Sequence, residues 1–146
     1  MPEGRFSVLL PGQARHETRM LNTTAGVLKM TMYACSLKQG TMGVAYTDYP
    51  AAAHAGDAMR EQLDTARDAL LRNVGAEAHT EEEIPIAGLP GRQVYAEGRA
   101  GTQGALLKAR FVVAGDRLYQ IAYVGTRDGL AIADIDMFLT SFKLLR

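Results

Sequence analysis

One cysteine, Cys35, stands in 146 residues. It has no partner for an intramolecular disulfide and cannot form a CxxC metal or redox site, although a lone thiol keeps nucleophilic potential. No apolar run reaches the roughly 18 residues that a membrane-spanning helix needs, so none is expected. Neither sign of charge is in excess: 16 Lys and Arg balance 16 Asp and Glu, for a formal net charge of zero. Without a broad cationic field, a polybasic cluster or an acidic tail, nucleic acid is not an expected partner. The pattern of a secretory leader is lacking too, because Met1-Pro2-Glu3-Gly4-Arg5 passes at once into the strand-like Phe6-Ser7-Val8-Leu9-Leu10. An exported or periplasmic location follows if a leader has been trimmed, and a cytoplasmic one if Met1 is native.

What remains is a chain with 47% apolar and 22% charged residues. It reads as one domain over residues 1–146, long enough to bury roughly 68–70% of its unfolded surface without staples. Phe6 to Leu10 predicts a strand that closes at Pro11-Gly12, and Thr18 to Thr23 a short polar one. Gly26 to Leu37 alternates, with Leu28, Met30, Met32 and Ala34 on one face and Lys29, Thr31 and Tyr33 on the other. Met42, Val44 and Tyr46 form the next run, which stops at Asp48-Tyr49-Pro50 because proline cannot donate to a ladder.

The period then switches. Met59, Leu63, Ala66 and Leu70 recur at helical spacing, which predicts a helix over residues 57–74 with Asp57 as N-cap and Gly75 as the left-handed C-terminal cap. Ala76 to Ile86 reads as an extended polar segment, and Gly88-Leu89-Pro90-Gly91 as a turn before Arg92 to Glu97. The glycine-rich 98–104 stretch links to Ala105–Val113, and Gly115-Asp116 turns the chain into Arg117–Val124. Ile132, Ile135, Phe138, Leu139 and Phe142 place a second helix over about residues 130–142, with Asp128, Asp134 and Asp136 toward its start and Lys143 at its end, as the macrodipole prefers. The expected class is α+β, a domain built around a mostly antiparallel sheet with two main helices.

Catalytic patterns are sparse. Gly98, Gly101 and Gly104 join two strands, whereas dinucleotide and P-loop motifs need a helix after the glycines. His16, His54 and His79 lack the spacing of a helical zinc pair, and Glu81-Glu82-Glu83 reads as a solvated run. Ser7, Ser36, Ser141 and Cys35 sit in no nucleophile elbow, and nothing brings Asp48, Asp116 and Glu97 together as an acid/base pair. Met30, Met32 and Met59 read as core packing, and Asn22-Thr23-Thr24 as a chance glycosylation sequon. No cofactor, metal site or catalytic residue is assigned.

One surface stands out. Opposite the expected core face lie Lys29, Thr31 and Tyr33, then Lys108 and Arg110, then Gln120, which is too polar for a sheet covered on both sides. This basic and aromatic face predicts docking of an acidic partner protein, with the loops around Tyr49, Arg92 and Gly101 as neighbouring contacts. The expected site residues are thus Lys29, Tyr33, Lys108, Arg110, Tyr49 and Arg92. A small-ligand carrier or enzyme using a pocket between sheet and helix is the alternative. A scaffold that self-associates through an open sheet edge is a third reading, so the protein is expected as a monomer or weak homo-oligomer.

Several segments together resemble a group of small bacterial domains of unknown function related to the PsbP-like and Ran-binding Mog-type fold. They are Phe6-Ser7-Val8-Leu9-Leu10-Pro11-Gly12, Tyr46-Thr47-Asp48-Tyr49-Pro50, Leu63-Asp64-Thr65-Ala66-Arg67-Asp68, Gly88-Leu89-Pro90-Gly91-Arg92, Arg117-Leu118-Tyr119-Gln120 and Phe138-Leu139-Thr140-Ser141-Phe142-Lys143-Leu144. The resemblance covers nearly the whole chain in order, through strand openings, turns and the closing helix. It implies an α-β-α sandwich, usually on exported or lipid-anchored bacterial proteins, that serves as a non-catalytic binding or accessory module. Photosystem-associated members bind a membrane complex and eukaryotic members a GTPase; the partner-contacting motifs of neither branch occur here.

Overall fold

Alternating side chains make strands only when a neighbour takes up their backbone groups, and here each strand finds its neighbour chiefly through a hairpin. The computed structural model describes residues 6–8, 14–23, 26–37, 40–49, 58–75, 79–100, 103–115, 117–126 and 132–144. β1 is Phe6–Ser7, β2 Arg15–Thr23, β3 Gly26–Leu37, β4 Gly40–Asp48, β5 His79–Ile86, β6 Leu89–Ala100, β7 Gln103–Ala114, β8 Arg117–Thr126 and β9 Lys143–Leu144. Two helices complete the order: α1, Ala58–Asn73, between β4 and β5, and α2, Ile132–Thr140, between β8 and β9.

Seven strands form one antiparallel sheet in the order β2-β3-β4-β8-β7-β6-β5, while β1 and β9 pair separately. The expected α-β-α sandwich is corrected by this arrangement: the described residues are mostly β, with a large sheet, a second small one and only two short helices among them. The physical reason lies in the segments without apolar alternation. The polar 79–86 stretch is an edge strand, whose side chains need little burial, and the glycine-rich 98–104 stretch belongs to a long β6–β7 hairpin in which Ala100 pairs with Gln103. The second helix is also shorter than expected. Ser141 N–H reaches the Met137 and Phe138 carbonyls, and the Ser141 hydroxyl caps Phe138 again, so the helix closes before Phe142.

Both faces of the sheet are covered in part. On one, Met42, Val44, Tyr46, Tyr119, Ile121 and Tyr123 pack beneath Ile135, Phe138 and Leu139 of α2 and beneath Phe6 from the small sheet. Phe6 is fully buried, with ring centroids of Tyr33, Tyr46, Tyr119 and Phe142 at 5.9, 6.1, 5.8 and 5.8 Å. On the other face, Val94, Ala96, Leu107, Ala109, Phe111 and Leu118 pack against Leu63, Ala66, Leu70 and Leu71 of α1.

Two local features fix how these layers meet. Gly75 ends α1 at φ 64° with its N–H on the Arg72 carbonyl. Just below, a Cβ on Gly98 would lie 2.0 Å from the Val74 carbonyl oxygen, so β6 passes in backbone contact with the helix end. The β5–β6 hairpin turns at Ala87 and Gly88, φ 52° and 81°, rather than at residues 88–91; Ile86 pairs with Leu89, and Pro85 with Pro90. The expected Asp57 cap and the 101–102 and 116 turn residues lie outside the described residues.

Candidate functional site

Most chemistry-bearing side chains are committed to holding layers together. Asp64 of α1 accepts from Arg92 of β6 at 2.6 Å and from Arg67 at 3.3 Å, and Arg67 also reaches Asp68 at 3.0 Å and Glu81 of β5 at 3.1 Å. His79 lies 3.7 Å from Glu81 in the same belt. This network ties the helix to the edge of the sheet, and being half-exposed it contributes modestly per pair. On the central strands, where Asp48 at the end of β4 pairs with Arg117 at the start of β8, the guanidinium donates twice to the carboxylate, at 2.7 and 2.9 Å, and lies 4.3 Å over the Tyr46 ring. The hydrogen bond to Asp48, against burial, holds the Arg117 pKa above its ordinary value.

The face carrying α2 also holds a polar strip on β5, β6 and β7. Gln93 is oriented by its neighbours, donating to Glu82 at 2.9 Å and accepting from Arg110 at 2.9 Å. Tyr95 donates to Glu97 at 2.9 Å, and Lys108 donates to Asp136 of α2. Burial lowers the Arg110 pKa, and the charges of Asp136 and Glu82 oppose that shift. Acid and base are balanced along this strip, so it presents no surplus of positive charge.

The six expected site residues separate. Lys29, Tyr33, Lys108 and Arg110 do share one face, but the order β3-β4-β8-β7 puts three strand spacings, about 14 Å, between the two pairs. The intervening ground is the core beneath α2, and Tyr33 itself packs between Phe6 and the His16 ring at 4.9 Å. Gln120 points to the opposite face, opposed to Ala45 and Phe111. Tyr49 is buried against the α1-side core, where burial raises its phenol pKa. Arg92 is the wall of an opening that the sequence pattern did not reveal.

That opening is a groove of about 730 Å³ between the first turns of α1 and the β5–β6 hairpin. Its apolar lining comes from Leu63, Ile84, Leu89, Pro90, Phe111 and Val113, which sit on the four elements α1, β5, β6 and β7. Arg60 and Glu83, both exposed, lie on its rim, while Arg92 is neutralised by Asp64. The groove lies where β6 and β7 part: their pairing ends at Gly91 and Val112, after which β7 runs on to Ala114 against β8 while Pro90 and Leu89 pair with β5. The signal available in the sequence was the proline-flanked 85–90 turn, whose apolar residues have no alternating partner.

Among the described residues no three His, Cys, Asp or Glu side chains are placed to hold a metal ion. No described helix is long and apolar enough to cross a membrane. No family model and no curated protein matches the chain. A solved structure described as a protein of unknown function PA94 from Pseudomonas aeruginosa, putative regulator, is similar over 78% of this chain and 86% of that one. Its TM-score is 0.47 at 8% identity, too low to carry an argument about fold or function.

Proposed function

We propose that the protein is a non-catalytic binding module that takes a short apolar segment of a partner protein into the groove between α1 and the β5–β6 hairpin. The observation that carries this reading is the partly exposed apolar lining of Leu63, Leu89 and Val113 beside the buried Phe111, rimmed by Arg60 and Glu83. Apolar surface that stays open on a folded domain is stabilised by a partner that covers it, and charges of both signs at the rim orient that partner. The polar strip supports docking less well, because its Lys108, Arg110, Glu82 and Glu97 are already engaged with side chains of this protein.

The test is in-cell photocrosslinking with the reactive group at Pro85, on the groove, and at Lys29, on the far side of the sheet. A discrete adduct from position 85 that disappears in Val113→Glu, with none from position 29, is expected. Equal adducts from both positions sink the reading. A second reading, a small-molecule carrier, is favoured by the groove volume, which falls in the roughly 300–1,000 Å³ range of ligand pockets. Thermal stabilisation by a small apolar ligand, lost in Val113→Glu, would select it.

A further inference from the structure

The large sheet ends at β2 on one side and β5 on the other. An edge strand offers a row of backbone donors and acceptors to any strand that fits, and proteins guard edges with charge and proline. β5 is guarded in this way. It carries Glu81, Glu82 and Glu83 in succession and then Pro85, so two copies laid antiparallel about its middle would oppose glutamate to glutamate. β2 carries no proline, and no described residue pairs with its outer edge.

We propose that the outer edge of β2 pairs antiparallel with β2 of a second copy of this chain, with Thr18 on the two-fold axis. The sequence Arg15-His16-Glu17-Thr18-Arg19-Met20-Leu21 is self-complementary in this register. Glu17 faces Arg19 of the second copy and Arg19 faces its Glu17, so two opposite-charge pairs form on one side of the sheet. On the other side Thr18 meets Thr18, and His16 meets Met20. Met20 is 65% exposed in the single chain, and the His16 ring, already stacked on Tyr33, gives its thioether an aromatic surface to cover. A slip that centres the axis on Glu17 or Arg19 sets like charges against each other. The ion pairs of Glu17 with Arg15 and Arg19 inside one chain are solvent-exposed, so redirecting them across the axis costs little. Pairing of like edges closes on itself, which gives a dimer and not a fibre.

The register makes a test that one variant alone would not. In sedimentation velocity at low salt the wild type is expected to associate reversibly to a dimer. Glu17→Arg and Arg19→Glu, each alone, oppose like charges twice and weaken association about tenfold or more. An equimolar mixture of the two variants restores both charge pairs and is expected to form a heterodimer as tight as the wild-type dimer. Circular dichroism of each variant confirms that these exposed substitutions leave the chain folded. A wild type that stays monomeric at all concentrations overturns the proposal, as do variants that dimerise like wild type or a mixture that fails to restore association. Growth beyond the dimer also overturns it, because that marks β2 pairing with the glutamate-rich β5 edge.

Discussion

Phe6 is the residue through which the small β1–β9 sheet is fastened to the large one, and removing its ring gives the most decisive stability measurement. Phe6→Ala leaves a hole among four rings, Tyr33, Tyr46, Tyr119 and Phe142, all with centroids within 6.1 Å. Buried Phe→Ala substitutions cost about 3–5 kcal/mol. Aromatic pairs contribute about 0.5–1.5 kcal/mol each beyond buried area, and with four such pairs and no exposure at all the upper half of the range applies. A loss of about 4 kcal/mol corresponds to a fall in Tm of about 8–16 °C for a domain of this size. It also moves the urea midpoint down by about 2 M at a typical slope. The assay is urea unfolding followed by circular dichroism, with wild type and variant fitted to a common slope. A loss below about 1.5 kcal/mol would refute the reasoning, because it is the cost of a side chain that is half-exposed or free to be replaced by its neighbours.

Three further outcomes follow from the backbone and the buried phenols. Gly98→Ala forces a methyl group onto the Val74 carbonyl, and since backbone must move, a loss of about 1–3 kcal/mol in urea unfolding is expected; an unchanged midpoint would refute the contact between β6 and the end of α1. Ala87→Asn places a residue that tolerates positive φ at the first position of the β5–β6 turn and should raise stability by about 1 kcal/mol, whereas a fall in Tm would contradict the turn geometry. Burial raises the Tyr49 and Tyr123 pKa values above the unfolded value of about 10, so the unfolded chain releases protons first as pH rises. Their contribution is complete below pH 10 and is lost as pH climbs through the raised folded values; Tyr49→Phe should flatten the alkaline limb of a stability-against-pH curve.

Local rules were legible where one element decides its own structure. The spacing of Leu63, Ala66 and Leu70, with Gly75 beyond, describes α1 because one helix face meets one sheet face. The alternation of Met42, Val44 and Tyr46 describes β4, whose intervening residues Gly43 and Ala45 face the other side of the sheet. The edge strand β5 was not legible as a strand, because Thr80, Glu81, Glu82 and Glu83 are exposed on both faces and carry no period. The expected basic patch is split for a different reason. Alternation put Lys29, Tyr33, Lys108 and Arg110 on one face, but strand order is set by long-range pairing, and β4 and β8 come between them. Gly98 reads in the sequence as part of a flexible hairpin loop; it lies within β6, and the approach of the α1 end explains why no larger residue stands there. The groove was invisible for the same reason, since Leu63, Leu89 and Phe111 meet only once α1 lies across the sheet.

The proposed landing place of a partner is the groove and not the polar strip. The most direct measurement is two-dimensional nuclear magnetic resonance of the labelled protein titrated with the polypeptide captured by crosslinking at position 85. Shifts concentrated at Arg60, Leu63, Leu89, Phe111 and Val113 are the predicted result. Shifts concentrated at Gln93, Tyr95, Lys108 and Arg110, with the groove residues unmoved, would contradict it.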